Sequence, residues 1–165
     1  MRGLILVNAY TQSEHELNQP RRIQAALGVD AELKRNDGAL AYLSDGVRSD
    51  AASAYDFCVY LDKDKYTSRM LERSGLRLFN RAEAVEICDD KMLTHLALAG
   101  VVPMPKTIPG PLCYTPGAPV SECLLSRVEE LLGCPVVVKE CYGSLGKGVY
   151  LAHDRAQLRE IAARV

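Results

Sequence analysis

The sequence predicts an α/β protein in two parts: a mostly parallel sheet wrapped by helices over residues 1–80, then an α+β part over 81–165. Three observations predict it. Short apolar runs such as Leu4–Val7 and Tyr55–Leu61 are what strands covered on both faces look like. Helical patterns closed by glycine stand between these runs, which favours parallel strands with helical crossovers. From Arg81 the alternation stops. Helices follow one another, and then comes VVVKECYGSLGKGVYL, Val136–Leu151, a strand, a glycine-rich loop and a second apolar run.

The elements can be justified in order. After Leu4–Val7, a helix carries Leu17, Ile23, Ala26 and Leu27 and stops at Gly28; Pro20 makes it start near that residue or kink there. Val29–Leu33 and Ala39–Leu43 are short strand candidates around the turn residues Asn36-Asp37-Gly38. Tyr55–Leu61 is the next strand. A helix from about Asp64 to Ser74 carries Tyr66, Met70 and Leu71 and stops at Gly75, before the short strand Leu76–Phe79. In the second part, Arg81–Cys88 and Asp89–Ala99 are successive helices, the latter with Leu93, Leu96 and Ala97 on its apolar face and Gly100 as its stop. Met104–Ile108 is expected to be extended. Pro109–Val120, with four of the eight prolines, is expected to be a long loop. Ser121 caps a helix with Leu124, Leu125, Val128, Leu131 and Leu132 on one side, ended by Gly133 and Pro135. Asp154 caps a last helix whose Leu158, Ile161, Ala162 and Val165 share one face. Because that apolar face reaches the last residue, the chain is expected to be a fragment or a truncated protein.

An apolar fraction of 48% with 25% charged residues is that of a soluble globular protein. A net charge of -1 offers no electrostatic case for nucleic acid or an anionic membrane, and no run approaches the length of a membrane span. The first apolar run is too short for a signal peptide. The six cysteines include no C-x-x-C pair, so a zinc site is not expected. Several lie in apolar runs and read as core, reduced in a cytoplasmic setting.

Two lysines stand where a cation is costly. Strand alternation puts Val136 and Val138 on one face and Val137, Lys139 and Cys141 on the other, so Lys139 is expected to be partly buried and to need an anion. The loop Gly143-Ser144-Leu145-Gly146-Lys147-Gly148 supplies backbone freedom and consecutive N–H groups that can hold a phosphate. A polyphosphate site answers both features. A tight β-hairpin with Lys139 reaching solvent answers them too. The loop fits neither a Walker A motif nor a dinucleotide fingerprint, because it opens a strand. Lys91, after Asp89-Asp90, sits in the first turn of a helix, where a cation is mildly unfavourable; an ordinary solvated lysine also accounts for it. Glu140, opposite Lys139 on the strand, is not expected to bind metal. Asp62 and Asp64 follow a strand end, where ligands often sit, but a helix cap is the expected use.

Asn80, Cys88-Asp89-Asp90-Lys91, Thr94, Gly100-x-x-Pro103-x-Pro105, Val137-Val138-Lys139 and Gly143-Ser144-x-Gly146-Lys147-Gly148-Val149 occur in one order and spacing. This set resembles the ATP-grasp superfamily, in the branch of the ribosomal protein S6 glutamate ligase (RimK-like), over Asn80 to about Ala152. The preceding alternation is similar to the Rossmann-like pre-ATP-grasp domain. The resemblance implies a pre-ATP-grasp domain at 1–80 and a first ATP-grasp subdomain at 81–165, with the second subdomain missing. It implies ATP and magnesium, a carboxylate phosphorylated by ATP, and an amine that displaces phosphate to form a C–N bond. Lys91, Lys139, Gly143, Ser144, Gly146, Lys147 and Gly148 would contact ATP. The acidic metal ligands would lie in the missing part, so the chain alone is expected to be inactive, with a possible homo-oligomer through surface left exposed. The alternatives are a non-catalytic nucleotide-binding or interaction module, and a flavodoxin-like domain followed by an unrelated hairpin domain.

Overall fold

The computed structural model describes residues 1–115 and 117–165; Pro116, within the segment expected to be a loop, lies outside the described residues. The chain divides into two compact units, Met1–Glu86 and Ile87–Val165.

Unit 1 begins with β1 (Arg2–Asn8), whose central residues Gly3–Val7 are all buried. This is why its apolar run does not alternate: both faces are covered. α1 (Glu14–Ala26) follows, then β2 (Asp30–Asn36), the two-residue strands β3 (Tyr42–Leu43) and β4 (Val47–Arg48), α2 (Asp50–Ala54), β5 (Phe57–Leu61), α3 (Lys65–Arg73) and β6 (Arg77–Phe79). The main sheet is wholly parallel in the order β2-β1-β5-β6, while β3 and β4 pair antiparallel as a separate hairpin. Leu4, Leu6, Tyr55, Cys58, Tyr60, Leu71, Leu76 and Leu78 form one core.

Three expectations need correction. α1 starts at Glu14 rather than near Pro20, because Ser13 and Glu16 form a reciprocal capping box that fixes the first turn, and the helix runs through a buried Pro20. The strand expected at Ala39–Leu43 is only Tyr42–Leu43, which turns back at once through Asp45-Gly46. Asp62 does not cap a helix. Its carboxylate accepts from Asn8 Nδ2 at 3.1 Å, Asn36 Nδ2 at 2.9 Å and its neighbour Lys63 N at 2.7 Å, and so ties together the carboxyl ends of β1, β2 and β5.

Asp64 is the cap of α3, accepting from Tyr66 N and Thr67 N. Burial opposes its charge, but hydrogen bonds from Thr67 Oγ1, Tyr66 N, Asn36 Nδ2 and Thr67 N outweigh burial and hold its pKa below the usual carboxylate range. A depressed folded-state pKa gives stability that is complete above the unfolded value of about 4 and is lost as pH falls through the lower folded value. Asp64→Asn keeps a capping oxygen and removes the charge. It is expected to flatten the acid limb of unit 1 stability, and Asp64→Ala to cost about 1 kcal/mol at neutral pH. Thermal unfolding from pH 2 to 7 checks this; an unchanged acid limb in Asp64→Asn contradicts it.

α4 (Ala82–Asp89) runs through the boundary between the units. Unit 2 continues with α5 (Lys91–Leu98), α6 (Glu122–Leu131), the antiparallel pair β7 (Val136–Lys139) and β8 (Val149–Ala152), and α7 (Arg155–Ala162). Asp90, Ser121 and Asp154 are the N-caps of α5, α6 and α7. Leu125, Val128, Ala152, Leu158 and Ile161 form the core, with Val136 and Val138 packed against it. Arg155 bridges Glu122 and Glu129, and Arg159 pairs with Glu122, across α6 and α7. The described residues of 104–108 carry no regular element.

The cysteines depart from expectation. Only Cys58 is buried, its thiol pushed up to about 12 by desolvation; Cys88, Cys113, Cys123, Cys134 and Cys141 are exposed. The second unit's sheet has two strands and is covered on one face only, so apolar runs there do not imply burial. No helix among the described residues is long and apolar enough to cross a membrane.

Candidate phosphate-binding loop

The β7–β8 ladder closes at Lys139 opposite Val149, and Glu140 N donates to Gly148 O at 2.8 Å one step beyond it. Alternation puts Val136 and Val138 on the helix side and Lys139 on the other, as the sequence pattern requires. That other face is uncovered within unit 2, so Lys139 is exposed rather than partly buried. Among the described residues its side chain makes no hydrogen bond or ion pair.

Between the strands the loop is anchored at its base and loose at its tip. Lys91, the first residue of α5, donates its backbone N–H to Cys141 O at 2.9 Å and its Nζ to Gly143 O at 3.0 Å. The cation in the first turn thus has a partner 52 residues away, which offsets its unfavourable place at a helix N-terminus. Asp90 fixes that turn by accepting from Met92 N and Leu93 N. Thr94 Oγ1 donates to Ile87 O and Asp90 O, joining α5 to the end of α4.

At the tip, Lys147 N donates to Ser144 O at 3.2 Å, closing a turn over Leu145 and Gly146. Both central residues have positive φ, 58° and 76°, the signature of a type I′ turn. Leu145 accepts that backbone with its side chain 96% exposed. Ser144, Gly146 and Lys147 are likewise exposed. Gly143 (φ 117°) and Gly148 (φ 70°) stand at the two ends, and a Cβ at Gly148 would lie 2.7 Å from the Glu140 carboxyl. Tyr150 OH donates to Glu140 Oε1 at 3.2 Å.

The structure therefore joins Lys91 directly to the loop that contains Gly143, Ser144, Gly146, Lys147 and Gly148, and sets Lys139 at the end of the strand leading into that loop. It is a hairpin, but with a long loop rather than a tight turn. Chemically it offers lysine ammonium groups and exposed main-chain N–H groups, suited to a polyanion. No group of three or more His, Cys, Asp or Glu that could hold a metal ion occurs among the described residues. Sequence reasoning weighed Glu140 only as a metal ligand and set it aside, and it passed over Tyr150. Their signal is the pairing of Glu140 with Gly148, which needs the hairpin register.

No protein-family model matches the chain. Over 104 residues it is 38% identical to beta-citrylglutamate synthase B of Danio rerio, covering 62% of this chain and 24% of that protein. It is also 38% identical over 104 residues to N-acetylaspartylglutamate synthase A of Homo sapiens, covering 62% and 25%. The fold aligns with a RimK domain protein ATP-grasp from Sphaerobacter thermophilus at a TM-score of 0.64 and 22% identity, over 99% of this chain and 58% of that one. It aligns with D-alanyl-alanine synthetase A of Vibrio cholerae at 0.58 and 20%, over 98% and 54%. The chain thus spans 24% and 25% of the length of these sequence relatives and little more than half of these solved structures.

Proposed function

The chain has the fold of part of a RimK-like ATP-grasp protein, and on that premise we propose that unit 2 binds the phosphates of ATP in an ATP-dependent carboxylate–amine ligase. One observation carries the proposal. The Lys91 ammonium is hydrogen-bonded to the glycine loop that follows Lys139, so a helix N-terminus, a glycine-rich loop and a strand-end lysine belong to one structure. Phosphoryl transfer depends on positioning and on neutralising charge. Lys91 and Lys139 would neutralise phosphate oxygens. Ser144, Gly146 and Lys147 at the tip, hinged at Gly143 and Gly148, would fold over them and keep water from an acyl phosphate. An amine attacking that acyl phosphate gives an amide-like bond and releases phosphate.

The magnesium implied by the resemblance has no ligand set among the described residues. The cytosol suits five exposed free thiols. The test is calorimetric titration of ATP into the full-length protein, with ADP and AMP in parallel. Saturable binding that weakens as phosphates are removed is expected; no binding of ATP contradicts the proposal. ATP binding with no turnover on any amine–carboxylate pair favours the non-catalytic module instead.

A further inference from the structure

We propose that Glu140 is a positioning residue for the glycine loop, clasped by the Tyr150 phenol and seated against Gly148. The proposal rests on reading that loop as the phosphate cover. Four contacts carry it. Glu140 N donates to Gly148 O at 2.8 Å, which fixes the second end of the loop to the strand leading into the first. The Glu140 carboxyl lies beside Gly148, where a Cβ would come within 2.7 Å of it. Tyr150, paired with Val138 one step inside the ladder from its last pair, donates its OH to Glu140 Oε1 at 3.2 Å and holds the carboxyl there. At the opposite end, Lys91 holds Cys141 O and Gly143 O. Within the tip, among the described residues, the one backbone bond runs from Lys147 N to Ser144 O. A segment pinned at both ends and loose between them moves about those ends, and Glu140 is the side chain packed on the Gly148 end.

Its role is therefore to restrict the directions from which the tip can approach a bound phosphate. The carboxylate is required as a hydrogen-bond acceptor, not as a charge; next to a polyphosphate its charge by itself is repulsive. Glu140→Gln keeps the acceptor and Glu140→Ala removes it. Tyr150→Phe removes the donor from the other side.

The test has two readouts on the full-length protein. Hydrogen exchange of the 143–148 amides without nucleotide reads the clasp; steady-state kinetics in ATP reads its consequence. Glu140→Ala and Tyr150→Phe are each expected to speed exchange at 143–148. Each should raise KM for ATP about three- to tenfold, the worth of one net hydrogen bond, with kcat at saturating ATP nearly unchanged. Glu140→Gln should stay near wild type, and the double variant should be no worse than either single one. Unchanged exchange and KM in Glu140→Ala, loss in Glu140→Gln equal to that in Glu140→Ala, or tighter ATP binding in Glu140→Ala overturns the assignment. Wild-type protein that binds no ATP sinks the phosphate reading itself. The ligand-free exchange then reports separately on whether Glu140 holds the loop.

Discussion

Lys139→Ala is expected to weaken ATP binding about 10- to 100-fold and to abolish turnover, with no change in fold. The magnitude is that of one charge-assisted hydrogen bond, roughly 1.5–3 kcal/mol, at about 1.4 kcal/mol per tenfold. The absence of a structural cost follows from its position. Lys139 is exposed at the end of β7 and has no partner among the described residues, so its removal leaves no buried group unpaired. Lys139→Arg keeps the charge but replaces a compact ammonium by a planar fork and should recover only part of the affinity. Lys106→Ala, also exposed, is the control for general loss of positive charge. Calorimetry with ATP and a thermal melt on each variant decide the matter. Wild-type affinity in Lys139→Ala contradicts the site assignment.

Leu125→Ala is expected to destabilise unit 2 by about 2–5 kcal/mol, the range for a leucine emptied from a packed core. Leu125 is fully buried, and among the described residues only Val128, Ala152, Leu158 and Ile161 share that core as buried residues. A total stability of about 5–15 kcal/mol is usual for a domain, so one such loss takes a large share. The consequence reaches the site. Val136 and Val138 pack on this core, and their strand carries Lys139 into the loop. Nucleotide binding should weaken along with stability, whereas the core of unit 1, built from Leu4, Leu6, Cys58, Tyr60 and Leu71, should keep its exchange protection. Leu124→Ala, only half buried, should cost less. Hydrogen exchange resolved by unit checks this; a loss below about 1 kcal/mol in Leu125→Ala contradicts the packing account.

The elements most legible in the sequence were those set by local chemistry. Asp64, Ser121 and Asp154 each have a short side chain able to accept an N–H from the helix's first turn, and each caps a helix. The buried run in β1 shows that both faces of its sheet are covered. Other features were legible but misjudged. Pro20 drew the start of α1 inward, although Ser13 and Glu16 mark it three residues apart. What could not be read was tertiary. The burial of Lys139 and of the cysteines depends on how many strands and layers surround them, and unit 2 has one two-stranded sheet covered on one side. The bond from Lys91 to Gly143 and the pairing of Glu140 with Gly148 depend on register and on helix placement, which composition and periodicity do not carry.

The most direct measurement is an ATP-analogue titration of isotope-labelled protein, followed residue by residue by NMR. The account predicts that the largest shifts fall on the amides of Gly143, Ser144, Gly146, Lys147 and Gly148 and on Lys91 and Lys139, saturating together with one affinity. Saturable binding that leaves these seven residues unmoved would contradict it.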